Sequence, residues 1–131
     1  MVVEDQRLDF GTFAIISNNA VSTLAVEATG HSVATGAIRL IEPGEPGIYR
    51  LLDYPPGQVL TISVNAGLMT IPGVSSGPVM AISQFYYPAV VIADINGDAQ
   101  LVVGGMLQTS GDGQSYYDAD YRSVLNIIIS Y

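Results

Sequence analysis

Asp94, Asn96 and Asp98 place three side-chain oxygen donors at alternate positions of the run Asp-Ile-Asn-Gly-Asp. This is the ligand spacing of the first half of a calcium loop. The second half is missing: no bidentate Glu follows at the required distance, and position 99 is Ala. The same residues have a plainer use. Asp and Asn hydrogen-bond their own backbone in turns, and Asn-Gly favours a type I′ hairpin. The expectation is a hairpin turn with no tight calcium site. Asp112, Asp118 and Asp120 form a second acidic group, read as a solvated loop.

His31 is the only histidine. With Ser22 or Ser32 and an Asp it would supply the residue types of nucleophilic catalysis. There is no Gly-x-Ser-x-Gly elbow, however, and no glycine arrangement that prepares an oxyanion hole. His31 therefore reads as a turn residue within Thr29-Gly30-His31-Ser32. One histidine and no cysteine leave too few nitrogen and sulfur ligands for zinc or iron. No phosphate loop is present. Paired carboxylates for glycoside hydrolysis would need a cleft, for which a compact β domain of this size has little room. Neither a catalytic activity nor a cofactor is expected.

Tyrosine is the remaining chemical resource. Tyr86 and Tyr87 precede Pro88, and Tyr116 and Tyr117 precede the last apolar run. Neighbouring strand residues point to opposite faces, so one of each pair is expected to be exposed. An exposed tyrosine can stack on a sugar ring or anchor an interface.

The elements that would hold these residues are strands. The chain has 131 residues, 49% of them hydrophobic, and a mean hydropathy of +0.38. No apolar run approaches the ~18 residues of a membrane helix, and the strand-sized runs lack the ~10-residue alternation of an outer-membrane barrel. Membrane insertion is not expected. Twelve acidic residues stand against four arginines and no lysine, a net charge of −8. Nucleic acid and anionic membrane suit such a surface poorly, because phosphate binding needs clustered basic groups. Lysine is also the usual guard of exposed sheet edges, so a β protein without it either hides its edges or uses them.

Turn signals recur every ~8–12 residues and no segment holds a 3.6-residue period over three turns. The spacing predicts an all-β, two-sheet antiparallel sandwich of about eight to ten short strands over residues 1–131, with residues 1–9 an extension or donor strand. Leu24 and Val26 are expected on one face of their strand. So are Ile38 and Leu40, and Leu60, Ile62 and Val64. Near the end, Tyr121, Leu125, Ile127, Ile129 and Tyr131 share a face, with Asp120, Arg122, Asn126 and Ser130 opposite. A strand of this composition must pair within a sheet or with another chain.

The runs LDFGTF, DINGDAQLVVGGML and SYYDADYRSVLNIIISY resemble a bacterial exported family, the domain of unknown function 4402. Phe10-Gly11, Val103-Gly104-Gly105-Met106-Leu107, Tyr117 and Tyr131 stand at its motif positions. Met106 replaces a usual Thr and Ala119 a usual Gly, and the ending lacks the Val-Thr-Val run. The resemblance implies an immunoglobulin-type sandwich related to pilus subunits, with no catalytic residues to carry over. It implies export as well, to the cell surface, periplasm or exterior. Met1-Val2-Val3-Glu4-Asp5 has neither a basic nor an apolar leader region, so either the protein is cytosolic or Met1 replaces a removed signal; the resemblance favours the removed signal.

Two functions follow as expectations. One is a structural subunit of a pilus-like surface fibre that assembles by β-strand addition to copies of itself. Its contacts would draw on Val2, Leu8 and Phe10 or on bare sheet edges. The alternative is a self-contained extracellular module that binds carbohydrate or another surface protein through Tyr86, Tyr87, Tyr116 and Tyr117.

Overall fold

The computed structural model describes residues 1–69, 79–116, 121 and 125–131. These contain eleven strands and no helix. In chain order they are β1 (Val2–Gln6), β2 (Thr12–Ile15), β3 (Thr23–Val26), β4 (Ser32–Ala34), β5 (Ile38–Glu42), β6 (Gly47–Leu51), β7 (Val59–Ala66), β8 (Ala81–Tyr86), β9 (Val90–Ile92), β10 (Ala99–Gln108) and β11 (Leu125–Ser130). Every pairing is antiparallel. The largest sheet runs β1-β6-β10-β3-β4, with β8 also on β10. A second sheet runs β11-β7-β9, and β2 pairs with β5 in a third.

β10 is the spine of this sandwich. Its first half pairs with β6 and its second half with β3 and β8. Leu101, Val103 and Leu107 alternate along it and are fully buried. Leu101 and Val103 meet Tyr49 and Leu51 of β6 and Leu60, Ile62 and Val64 of β7 in one core cluster. Leu107 belongs to a second, with Phe10, Leu24, Val26, Ile38 and Met80. Fully burying each such side chain stabilises by about 1.5–3 kcal/mol. The second sheet thus covers one half of the spine and the β2–β5 pair the other.

β7 shows the period-two code at its plainest. Leu60, Ile62 and Val64 are buried while Val59, Thr61, Ser63 and Asn65 face out. β8 departs from that code for a visible reason. Its register on β10 shifts between Gln84, opposite Met106, and Ile82, opposite Leu107. The extra residue, Ser83, is a bulge that reverses the parity of the strand. Ile82 and Phe85 can then both pack inward.

Two adjacent glycines let β10 pass between its neighbours. A Cβ on Gly104 would lie 2.3 Å from the Val26 carbonyl oxygen, which belongs to backbone. On Gly105 it would meet Gln84, Leu8 and Phe10 at 3.4–3.5 Å, ordinary contact distance.

The all-β expectation holds, and the expected faces are the inward ones: Leu24, Val26, Ile38, Leu60, Ile62 and Val64 are buried and Leu40 is half-buried. Three details differ. Asn96-Gly97 does not form a type I′ hairpin, since that turn needs positive φ at both residues and only Gly97 has it, at 81°. Asp94 and Asp98 instead close a three-residue loop, with Asp94 N donating to Asp98 O at 2.8 Å and Gly97 N to Asp94 O at 3.0 Å. The strands on either side then part, β9 joining β7 and β10 joining β6, so the turn is a corner between sheets. Leu125, Ile127 and Ile129 keep their shared row, half-buried, whereas Tyr131 just beyond β11 is exposed and sits edge-on against Tyr54, centroids 5.3 Å apart. Residues 2–6 are no loose extension: they pair with β6 of the same chain.

Candidate functional site

Asp94 has a backbone task. Its Oδ1 accepts from Asn96 N at 2.8 Å and from Asp98 N at 3.0 Å. The Asp–Asn–Asp spacing thus serves turn closure, with the first carboxylate capping the two residues two and four positions on. Among the described residues no three His, Asp or Glu side chains converge on a common point.

Asp112 has the same occupation in another loop. Its Oδ1 accepts from Gln114 N at 3.0 Å, Ser110 Oγ at 2.9 Å and Asn18 Nδ2 at 3.2 Å. The Gln114 amide and the Ser110 hydroxyl hold its carboxyl below the usual carboxylate range. Asn18, buried, also donates to Gln114 O and accepts from Gly111 N, tying the loop to the start of the chain. Asn18 was not legible from the sequence, because the pair Asn18-Asn19 looks like ordinary turn punctuation. Asp118 and Asp120 lie outside the described residues.

The nucleophile candidates are also engaged. Ser22 is buried and its Oγ accepts from Ala37 N at 2.9 Å; Ser32 Oγ accepts from Gly44 N at 3.2 Å. His31 is exposed in a turn closed by Glu27 N donating to its carbonyl at 2.8 Å.

Tyr86 and Tyr87 correct the expectation, for their pair, that one of the two stands out in solvent. Tyr86 and Tyr87 are both half-buried, as is Tyr116. The Tyr86 hydroxyl faces Met106 Sδ at 4.0 Å, and the Tyr87 hydroxyl accepts from Val64 N at 3.4 Å. The Tyr116 hydroxyl donates to Val79 O at 2.7 Å and accepts from Ser110 N at 2.9 Å. Its ring meets Tyr121 edge-on at 5.9 Å. The physical reason at the first pair is that β8 ends at Tyr86, so strand alternation does not extend to Tyr87. Tyr117 lies outside the described residues.

The sheet margins remain, and they differ. β1 borders the large sheet with Val2 opposite Leu51, Val3 opposite Arg50 and Glu4 opposite Tyr49, then a register shift before Gln6. None of its side chains is buried. Asp5 accepts from Arg50 Nε at 2.9 and 3.0 Å in an exposed pair. Burial, reinforced by Glu4, raises the Tyr49 hydroxyl pKa beneath this strand. Beyond β1 the chain turns inward, with Leu8 half-buried and Phe10 buried in the second cluster. Of the residues singled out at this end, Val2 lies on the edge strand while Leu8 and Phe10 are core anchors.

β11 borders the second sheet, in unbroken register with β7 from Leu125 opposite Ala66 to Ser130 opposite Thr61. Not one residue of β7, β9 or β11 is charged. On their outer face Val59, Val90, Ile92 and Ile128 are exposed among Thr, Ser and Asn.

Antiparallel sheets packed across a shared spine, with polar side chains occupied in closing turns, define a β-sandwich protein. The chain belongs to the family described as domain of unknown function DUF4402, whose family model matches residues 1–131. Comparison with curated proteins and with solved structures gives no match.

Proposed function

We propose that the protein is a structural subunit of a bacterial cell-surface or extracellular fibre that assembles by β-strand addition. One observation carries this reading: β1 is an edge strand held by main-chain pairing to β6, one exposed ion pair and a bond from the Gln6 side chain to Pro46 O at 2.7 Å, with no buried side chain of its own. Exposed ion pairs contribute about 0–1 kcal/mol. The same strand from a neighbouring copy would offer β6 the same bonds, so exchange leaves the bonding unchanged. Core anchorage at Phe10 marks where the exchangeable part ends. The acidic, lysine-free composition and membership of a family whose resemblance implies export and kinship with pilus subunits support an exported setting. The alternative, a binding module for carbohydrate or another surface protein, draws on less, because the hydroxyls of Tyr86, Tyr87 and Tyr116 are already committed.

The absence of cysteine gives a clean test. Val3 and Arg50 are opposite one another, within disulfide reach for a strand pair. Val3→Cys with Arg50→Cys, oxidised at rising protein concentration, is expected to give a ladder of linked chains on a non-reducing gel. Internally linked monomers at every concentration would refute strand exchange.

A further inference from the structure

We infer that the open edge of β11 is a self-association surface, pairing antiparallel with β11 of a second copy about a two-fold axis at Ile127. The starting point is which backbone groups are free. Ile62 N donates to Ala89 O at 2.8 Å, so Ile62 directs its amide toward the β9 side of β7. Thr61, Ser63 and Asn65 therefore direct theirs toward β11, where they face Ser130, Ile128 and Asn126. Alternate residues of a strand bond to opposite sides. The amides and carbonyls of Leu125, Ile127 and Ile129 then point away from β7, and among the described residues nothing pairs with them.

The other margins carry the usual guards. β1 has Glu4, Asp5 and a register shift, the β2–β5 pair has a shift at Thr12/Phe13, and β8 has its bulge. β4 and β9 are three residues long. β11 is six residues long, regular and free of charge, proline and bulge. An edge of that kind is a template for another strand.

Charge selects a second copy as the occupant. At −8, two copies repel wherever their carboxylates face each other. The second sheet has no charge on any strand, so like-charged copies meet there without that repulsion. The strand is also its own complement. With the axis at Ile127, Ile127 faces Ile127, Leu125 faces Ile129, and each of these pairs exchanges two backbone hydrogen bonds. Two three-stranded sheets become one of six strands, and their exposed rows of Val59, Val90, Ile92 and Ile128 join into one uncharged face. A single strand edge covers much less than the ~800 Å2 per partner of a standard interface, so the pair forms reversibly and at high concentration.

This contact lies on the opposite sheet from β1 and stands or falls independently of strand exchange. Its register is testable on exposed residues. The two-fold sets Asn126 opposite Ile128 of the other copy, in the close type of antiparallel pair that suits a disulfide. Asn126→Cys and Ile128→Cys are made separately, checked for unchanged far-ultraviolet circular dichroism, and oxidised alone and mixed. The mixture is expected to form linked pairs at least about ten-fold faster than either variant alone. Sedimentation equilibrium of the unsubstituted protein is expected to show a concentration-dependent dimer. Ile128→Cys alone linking as fast as the mixture would mean the sheet faces stack, and Asn126→Cys alone doing so would mean parallel pairing. Either result overturns the inference, as does a protein that stays monomeric to ~1 mM in sedimentation.

Discussion

Replacing Gly104 and Gly105 separately by Ala should move stability in opposite directions, although the two are neighbours on one buried strand. At Gly105 the new methyl would meet Gln84, Leu8 and Phe10 at 3.4–3.5 Å, in ordinary contact. Loss of glycine freedom in the unfolded chain favours Ala by about 0.4–1 kcal/mol. A buried methyl adds a gain of similar size, up to about 0.8 kcal/mol. Gly105→Ala is therefore expected to stabilise by about 1 kcal/mol. At Gly104 the methyl would lie 2.3 Å from the Val26 carbonyl oxygen and 3.0 Å from Ala28 N. Both are backbone atoms of the β3 region, which is itself bound to β10, so neither strand can yield alone. Overpacking of this kind costs about 1–3 kcal/mol, enough to leave Gly104→Ala about 2 kcal/mol below the parent. The unfolded-state term is shared by both variants and cancels in their difference, leaving about 3 kcal/mol from sterics. For a chain of this size that separates the melting temperatures by roughly 10–15 °C. Urea denaturation followed by circular dichroism, with equal slopes for both variants, reads the difference directly. Variants within ~0.5 kcal/mol of each other would show that β3 and β10 are not in the close approach described.

Leu101→Ala, at a fully buried point of the spine, should cost about 2–5 kcal/mol, and Ile127→Ala, only half-buried, less than half as much; chemical denaturation ranks them. Asp94→Ala removes the acceptor of the Asn96 and Asp98 amides and should cost about 1 kcal/mol, with faster amide exchange at those two residues. Tyr116→Phe removes the bonds to Val79 O and Ser110 N and should cost about 1–2 kcal/mol, read the same way. Asp112 has a lowered pKa in the folded protein, so its stabilising effect is present above the ordinary carboxylate range and is lost as pH falls through the depressed value. Protection of the Gln114 amide, taken relative to its intrinsic exchange rate at each pH, should fall as the pH drops through that value, and Asp112→Asn should abolish this pH dependence.

Most of the strand pattern was legible because it rests on period two and turn chemistry. Leu60-Thr61-Ile62-Ser63-Val64 alternates without exception and is buried accordingly. The misread features depend on partners distant in sequence. Asn96-Gly97 carries the local signal of a hairpin, but whether a turn joins paired strands depends on where β9 and β10 find their neighbours. Tyr86 and Tyr87 were expected on opposite faces by strand geometry, but β8 ends at Tyr86, so the alternation does not extend to Tyr87. Nor does anything local announce the Ser83 bulge, which lets Ile82 and Phe85 both pack inward. Asn18 belongs to a network with Ser110, Asp112 and Gln114, more than ninety residues away along the chain, a distance no local pattern spans. The open edge of β11 was legible in part, since missing charge and proline are visible in any sequence; which of its backbone groups are free is not.

The spine also orders events during synthesis. Among the described residues, β1 with β6 and β3 with β4 form two separate pieces of sheet that β10 alone joins. β10 begins at Ala99, so a ribosome exposes the inner faces of both pieces well before their common partner emerges. Contacts between residues so far apart in sequence form slowly, and unpaired strands that wait are the ones that aggregate. A chain stopped before residue 99 would therefore hold two incomplete half-sheets with no route to closure. For a molecule built this way, the interval between the emergence of β3 and of β10 is when a chaperone has most to protect.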